Sequence, residues 1–214
     1  MSSGDRALEL IEGLYAGVDG YRLSHAERRR LKSEDRNLVY GEIHLRAFAQ
    51  LLERVGVSPG ETFWDAGAGT GKAVLVAAAL FPFSRCLGVE VLAPLADKAT
   101  SLLMRYRREV LPGLPEEKQR QEIWFATGRF EGADLSGADV LFSHCTTFGP
   151  AGLERLAEKA AGLKPGSRII TVGPPLAHPR LEPAFEAMVL MEWGESTCHV
   201  YRVSPRASCT SPTP

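Results

Sequence analysis

Apolar residues along the chain follow two spacings, which predict helices alternating with strands. Residues 6–16, 43–55, 93–109 and 149–163 repeat apolar positions every three or four residues, which is typical of helices with one buried face. KAVLVAAALF is apolar on nearly every side and predicts a buried helix. Between these segments lie short runs typical of buried strands: TFWDAG, SRCLGVEV, QEIWFAT, ADVLFSH and SRIITVG.

The end of the chain follows a different pattern. FEAMVLMEW and STCHVYRV flank a glycine-containing turn and predict a β-hairpin. Alternating strands and helices followed by a hairpin predict an α/β fold, with a Rossmann-like, mainly parallel twisted sheet and a C-terminal antiparallel edge. Ligands of such sheets bind beyond the carboxyl ends of the strands.

The first 38 residues predict a helical segment ahead of this sheet. Ser24 followed by Glu27 matches a capping box that would open a basic helix, SHAERRRLKSED. Their position before the sheet predicts a helical cap over the ligand crevice, at residues 1–38. The polar stretch 204–214 predicts a disordered tail.

Composition narrows the possible classes of function. The 214 residues carry a formal net charge of −1, whereas general nucleic-acid binders are usually strongly basic, so we expect no stable nucleic-acid binding. The N-terminus lacks the apolar run of a signal peptide, and we expect no membrane association. The four cysteines are scattered without metal-ligand spacing. These features predict a reduced, cytoplasmic protein without a metal site.

The stretch WDAGAGTGK carries the clearest chemical signal. Gly67, Gly69 and Gly71 form G-x-G-x-G directly after a predicted strand, where a nicotinamide-binding loop would read G-x-G-x-x-G. Asp65 would repel a pyrophosphate but would attract a cationic ligand. Glu90, at the end of the next strand, can accept hydrogen bonds from two ribose hydroxyls. This set predicts S-adenosylmethionine as the cofactor; the alternative is a tight connection without a ligand.

Several further motifs, in order, resemble one family. VYGE, WDAGAGTGKAVLVAA, LGVE, FGP and the hairpin MEWGESTCHVYRV resemble the catalytic domain of the non-SET histone lysine methyltransferases, the disruptor-of-telomeric-silencing family. The resemblance runs from about Val39 to Val203. It implies a class I methyltransferase domain over residues 39–203, with S-adenosylmethionine as methyl donor and S-adenosylhomocysteine as product.

The resemblance also implies donor-binding residues. Tyr40, Gly41, Glu42 and Ile43 match the loop that folds over the donor. Asp65, Gly67, Gly69 and Lys72 match the donor loop, with Lys72 in place of the family's glutamine and able to pair with the donor carboxylate. Glu90 matches the ribose-binding acid, and Phe130 the ring that packs on adenine. Arg129 replaces the aspartate that would receive the adenine amino group.

The chain departs from the family where the acceptor would bind. His144 and Cys145 replace two asparagines, His199 falls near the family's channel tyrosine, and Trp193 matches the tryptophan that lines the lysine channel. We expect these four residues to face the channel in which the methyl group is transferred. The alternatives are structural: Cys145 as a small buried hydrophobe, His199 as a satisfied histidine in a strand, and Trp193 as core.

Three functions remain open at this stage. The first is a methyltransferase acting on a protein lysine or a related side chain, with histone not assumed as the acceptor. The second is a small-molecule methyltransferase of the same fold, suggested by the changed channel residues. The third is a protein that binds the donor without turnover, suggested by Arg129 and the lost asparagines. The number of methyl groups added and the oligomeric state are not readable from the sequence.

Overall fold

A seven-stranded mixed sheet organises the protein, as a computed structural model that describes residues 3–206 shows. The strand order is β3-β2-β1-β4-β5-β7-β6. Strands β1 to β5 are parallel, and β7 runs antiparallel to both β5 and β6. The strands are β1 (Thr62–Ala66), β2 (Arg85–Glu90), β3 (Glu122–Thr127), β4 (Val140–His144), β5 (Arg168–Val172), β6 (Leu181–Met191) and β7 (Gly194–Val203). The predicted fold class is confirmed.

The described residues form six α-helices, five of which share core clusters with this sheet. Their bounds are α1 (Ser3–Tyr15), α2 (Gly20–Arg30), α3 (Leu45–Val55), α4 (Lys72–Leu80), α5 (Ala93–Glu109) and α6 (Pro150–Ala161). Apolar side chains of α1, α3, α4 and α5 share one core cluster with the sheet, and those of α6 lie in a second, whereas α2 packs against α5. None of these helices is both long and apolar enough to cross a membrane.

The N-terminal helices show where the sequence interpretation was wrong. Helix α2 begins at Gly20, and the side chain of Asp19 caps it by accepting a hydrogen bond of 2.8 Å from the Arg22 amide. Ser24 lies inside the helix and donates its hydroxyl to the Leu38 carbonyl, while Glu27 forms an ion pair with Arg30. The capping box at Ser24 is therefore not used, because Asp19 supplies a cap five residues earlier.

Helix α1 contributes to the main core. Ala7, Leu8, Ile11 and Leu14 are buried in the same cluster as α3 and α4, because helical spacing places them on one face. The separation of residues 1–38 as a cap stays a prediction, as does the disorder of the tail, of which residues 207–214 lie outside the described residues.

The sheet topology places the site. Strands β1 and β4 are neighbours, but the chain leaves β1 towards β2 and leaves β4 towards β5 on the other side, so a crevice opens between their carboxyl ends. The hairpin turn at residues 192–193 returns to this same edge, since β7 runs antiparallel to β5. Ile43 forms an isolated bridge with Met191, which joins the segment before α3 to the hairpin.

Candidate active site

The loop after β1 is shaped for close contact. Gly67, Gly69 and Gly71 all have positive φ (104°, 54° and 84°), a conformation that favours glycine. A Cβ on Gly71 would lie 2.5 Å from the Phe125 ring, and one on Gly69 would clash with the Tyr40 ring. Glycine is therefore required both by backbone conformation and by the aromatic rings packed against the loop.

Glu90 closes the floor of the crevice at the end of β2. Its Oε2 accepts the Gly69 amide and its Oε1 accepts the Leu92 amide, both at 2.8 Å. Burial raises the pKa of this carboxyl group, and the backbone hydrogen bonds partly oppose the rise. The backbone thus fixes Glu90 at the cleft wall, with further lone pairs able to accept ligand hydroxyls.

Asp65, at the end of β1, is a buried carboxyl group that lies close to Glu90 but is not part of the cleft lining. It is 2% exposed, and its Oδ1 has no hydrogen-bond partner within the described part of the chain. Burial, and then the charge of Glu90, raise the pKa of Asp65 well above its ordinary value. A buried carboxylate oxygen without a partner fits a ligand that carries positive charge and hydrogen-bond donors, as S-adenosylmethionine does.

Beside Glu90 lies an open cleft, with about 690 Å³ of empty space including the open solvent at its mouth. The rings of Phe130 and Phe148 both line it and are nearly parallel, with centroids 6.1 Å apart, so this part of the wall is aromatic and suits a base. Arg129 also lines the cleft and pairs with Asp35 at 3.6 Å. A guanidinium cannot accept a hydrogen bond from an adenine amino group, as the family's aspartate would.

The predicted donor-covering loop lies against the glycine loop. The Tyr40 hydroxyl donates to Glu42 and lies 3.0 Å from Thr70 Oγ1. Burial and then the charge of Glu42 raise the pKa of Tyr40 well above its ordinary value, which keeps the phenol protonated. Tyr40 and Gly41 line the cleft, whereas Ile43 is buried in the core.

Lys72 has a different setting from the one expected. Its ammonium pairs with Glu42 and, at 3.1 Å, with Glu192 in the hairpin turn. Two protein carboxylates therefore take the position that the sequence interpretation assigned to the donor carboxylate.

At the acceptor end, three residues form a narrow contact that we call the neck: Gly41, His144 and Trp193. A Cβ on Gly41 would lie 2.5 Å from His144 and 2.6 Å from the indole of Trp193, so only glycine fits there. The His144 and Trp193 rings meet edge to face with centroids 5.2 Å apart. Burial lowers the pKa of His144 to about 4, so its imidazole is neutral at physiological pH.

Of the four expected acceptor-site residues, only His144 lines the cleft; Trp193 contacts His144, whereas Cys145 and His199 lie elsewhere. Cys145 is fully buried in the apolar cluster beneath α6, and burial raises the pKa of its thiol to about 12. The expectation that it faces methyl transfer is wrong in position, because the residue after β4 turns into the core. His199 is 8% exposed in β7, where its Nδ1 lies 3.0 Å from Glu186 and its ring stacks on Tyr201.

Other cleft residues escaped the sequence interpretation. Asn37 lines the cleft, and its Oδ1 accepts the Gly149 amide at 3.1 Å, which ties the N-terminal segment to the start of α6. Nothing in its sequence context indicates this contact. Phe148 belongs to the FGP motif, and its pairing with Phe130 emerges only in three dimensions.

Known proteins resemble this chain in sequence over most of its length. Residues 24–185 match the family described as Histone methylation protein DOT1. A histone-lysine N-methyltransferase, H3 lysine-79 specific, from Drosophila melanogaster is 29% identical over 136 residues. That region is 62% of this chain but only 7% of the fly protein, so the two share one domain-sized segment.

Solved structures resemble it in fold. An RNA methyltransferase from Salinibacter ruber, in complex with S-adenosyl-L-homocysteine, has a TM-score of 0.55 and 20% identity, with 75% of this chain and 92% of that one covered. Magnesium protoporphyrin IX methyltransferase from Synechocystis PCC 6803, with bound donor, has a TM-score of 0.56 and 13% identity over 75% and 78%. The solved structures share the fold of this chain, and the family match shows that it belongs to the Histone methylation protein DOT1 family, as an S-adenosylmethionine-dependent methyltransferase.

Proposed function

We propose that this methyltransferase modifies the side-chain amine of a lysine in a protein. The neck carries the proposal: Gly41, His144 and Trp193 form a narrow, largely aromatic contact beside the donor cleft. A lysine side chain is a slender apolar stem with a terminal nitrogen, and such a stem can lie along the aromatic surface that these rings present.

The electrostatics of the neck support an amine acceptor. Burial alone lowers the pKa of His144 to about 4, so this position disfavours a positive charge. The same environment would lower the pKa of an entering ammonium and favour the neutral amine, which is the nucleophilic form. His144 is too weak a base to take a proton from an ammonium directly. With Nε2–H donating to the Thr146 hydroxyl, 2.9 Å away, Nδ1 of the neutral ring can accept a hydrogen bond from the amine instead.

The residues of the cleft hold and orient the methyl donor. When bound, the donor supplies an electrophilic methyl group on a sulfonium, which is already a good leaving group. Glu90 in the cleft wall and the neighbouring buried Asp65 would provide carboxylates for its hydroxyl-bearing and cationic parts. The rings at the neck set the line of approach, and placing two reactants in line accounts for a large share of rate enhancement.

The fly relative supports lysine as the acceptor residue, since its name specifies a lysine of histone H3. The present chain spans 7% of that protein, so the identity of the acceptor protein is a separate matter.

A second candidate function is methylation of a small molecule. Trp193 is 49% exposed, so the outer side of the neck is open rather than enclosed by protein. An open neck would admit a compact metabolite as readily as a side chain.

Isotopically labelled S-adenosylmethionine distinguishes the two functions. The enzyme is incubated with donor and a cell extract divided by dialysis into protein and small-molecule fractions, and the labelled protein is hydrolysed to amino acids. Label recovered as methyl-lysine supports the proposal. Label confined to the dialysable fraction overturns it in favour of the second function. An Asp65→Asn enzyme, which we expect to bind donor poorly, is the background control.

A further inference from the structure

Three segments that are distant in sequence meet around one largely buried lysine, Lys72. The ammonium of Lys72 contacts Glu42 in the loop before α3 and Glu192 in the β6–β7 turn, and it lies 5.3 Å from the centre of the Tyr15 ring of α1. Only 12% of the Lys72 side chain and 11% of the Glu42 side chain are exposed. Ion pairs shielded to this degree are screened less than surface pairs.

The loop before α3 and the β6–β7 hairpin are also joined through their backbones. The Glu192 amide donates to the Glu42 carbonyl at 3.0 Å, and the His44 amide donates to the Leu190 carbonyl at 3.0 Å. Lys72 lies at the first turn of α4, directly after the glycine loop. The Lys72 side chain therefore connects the donor loop with the β6–β7 turn, in which Trp193 directly follows Glu192.

We propose that Lys72 is a positioning residue that holds the hairpin turn, and with it Trp193, against His144. Its two carboxylate partners come from the two sides of the neck: Glu42 follows Gly41, and Glu192 precedes Trp193. Loss of the ammonium would leave two acidic side chains close together, and their repulsion would open the neck. In this role Lys72 acts on the acceptor side rather than on the donor.

The fluorescence of Trp193 reports this role without any acceptor. The chain has two other tryptophans, Trp64 and Trp124, so emission is measured as the difference between each variant and the same variant carrying Trp193→Phe. Lys72→Gln and Glu192→Ala should both shift Trp193 emission to longer wavelength and increase its quenching by acrylamide. Lys72→Arg should restore the wild-type emission, because it keeps the charge.

A double variant tests whether Lys72 influences Trp193 through Glu192. If Lys72 acts through Glu192, the Lys72→Gln/Glu192→Ala pair should shift the emission no further than either single change. Glu195→Ala is the matched control, since Glu195 is an exposed glutamate of the same hairpin and should leave the emission unchanged. Calorimetry with S-adenosylmethionine should show less than about a threefold change in Kd for Glu192→Ala and for Lys72→Gln.

The opposite pattern would overturn the proposal. Unchanged Trp193 emission in Lys72→Gln, with donor affinity reduced tenfold or more, would make Lys72 a contact of the donor carboxylate. An equal shift in Glu195→Ala would show a general effect of charge on the hairpin. These readouts use only the enzyme and its donor, so they are independent of whether lysine is the acceptor.

Discussion

The donor end and the acceptor end of the active site are held in place by different kinds of contact. At the donor end, Asp65 and Glu90 lie at the ends of central parallel strands, are almost fully buried, and Glu90 is fixed by backbone amides. At the acceptor end, Trp193 lies in a hairpin turn at the edge of the sheet and is 49% exposed. The turn itself is held by one ion pair and a few hydrogen bonds.

This difference predicts two kinds of response to mutation. The donor end contains buried charge that the fold tolerates at a cost in stability, so its removal should affect binding and stability in opposite directions. The acceptor end depends on shape and on the placement of a turn, so changes there should affect transfer with little effect on donor binding.

The largest expected effect is at Asp65. Asp65→Asn keeps the shape but removes the charge, and we expect donor affinity to fall about a hundredfold, as for loss of a charged hydrogen bond. The melting temperature of the donor-free protein should hold or rise, because a buried carboxylate with an unpartnered oxygen is removed. Calorimetry and thermal unfolding measure the two quantities. Unaltered donor affinity would remove Asp65 from the site.

A methyl group in the neck should separate the two ends. Gly41→Ala would place a Cβ against His144 and Trp193, and we expect at least about a tenfold loss of methyl transfer, since small misplacements of reacting groups are costly. Donor Kd should change less than about threefold. Gly132→Ala, whose Cβ would meet no atom within 4 Å, is the control. Equal losses in both variants would contradict the importance of the neck.

As pH falls, donor affinity should begin to decrease at a higher pH than it would at a site whose carboxyl groups have ordinary pKa values. The pKa values of Asp65 and Glu90 are raised, mainly by burial, and a cationic donor favours their ionised forms. Donor binding should therefore release protons, and Kd should increase as pH falls through the raised pKa values, above the usual range near pH 4. Calorimetry in two buffers of different ionisation enthalpy measures the proton count. A count of zero at every pH would contradict the prediction.

The smallest effect concerns stability at the acceptor end. The pKa of His144 is about 4 in the folded protein and about 6.5 in an unfolded chain, so the unfolded chain takes up the proton first. The folded state should lose stability as pH falls from about 6.5 to about 4, by roughly 1–2 kcal/mol at pH 5. His144→Gln should lack this part of the pH dependence. Urea unfolding at pH 7 and pH 5 compares the two proteins.

Sequence reasoning served the donor end well because its signals are local. The three glycines, Asp65 and Glu90 lie at strand ends, so a strand-and-loop pattern sufficed to bring them together. The fold class followed from the same alternation of strands and helices. The family resemblance added the hairpin and Trp193, which no local pattern explains.

The acceptor end was harder because it depends on side-chain direction and on distant partners. His144, the last residue of β4, lines the cleft, whereas the next residue, Cys145, is buried in the core. The sequence does not indicate which of the two neighbours faces the cleft. The pairing of Lys72 with Glu42 and Glu192 joins residues that no motif links.

The contact between Lys72 and Glu192 spans 120 residues of chain, and this distance has a consequence for how the enzyme forms. During synthesis the glycine loop and Glu90 leave the ribosome long before the β6–β7 turn. Contacts of such separation close late because of their loop entropy. A growing chain would thus assemble its donor pocket first and gain its acceptor wall last, so methyl transfer should await completion of the hairpin.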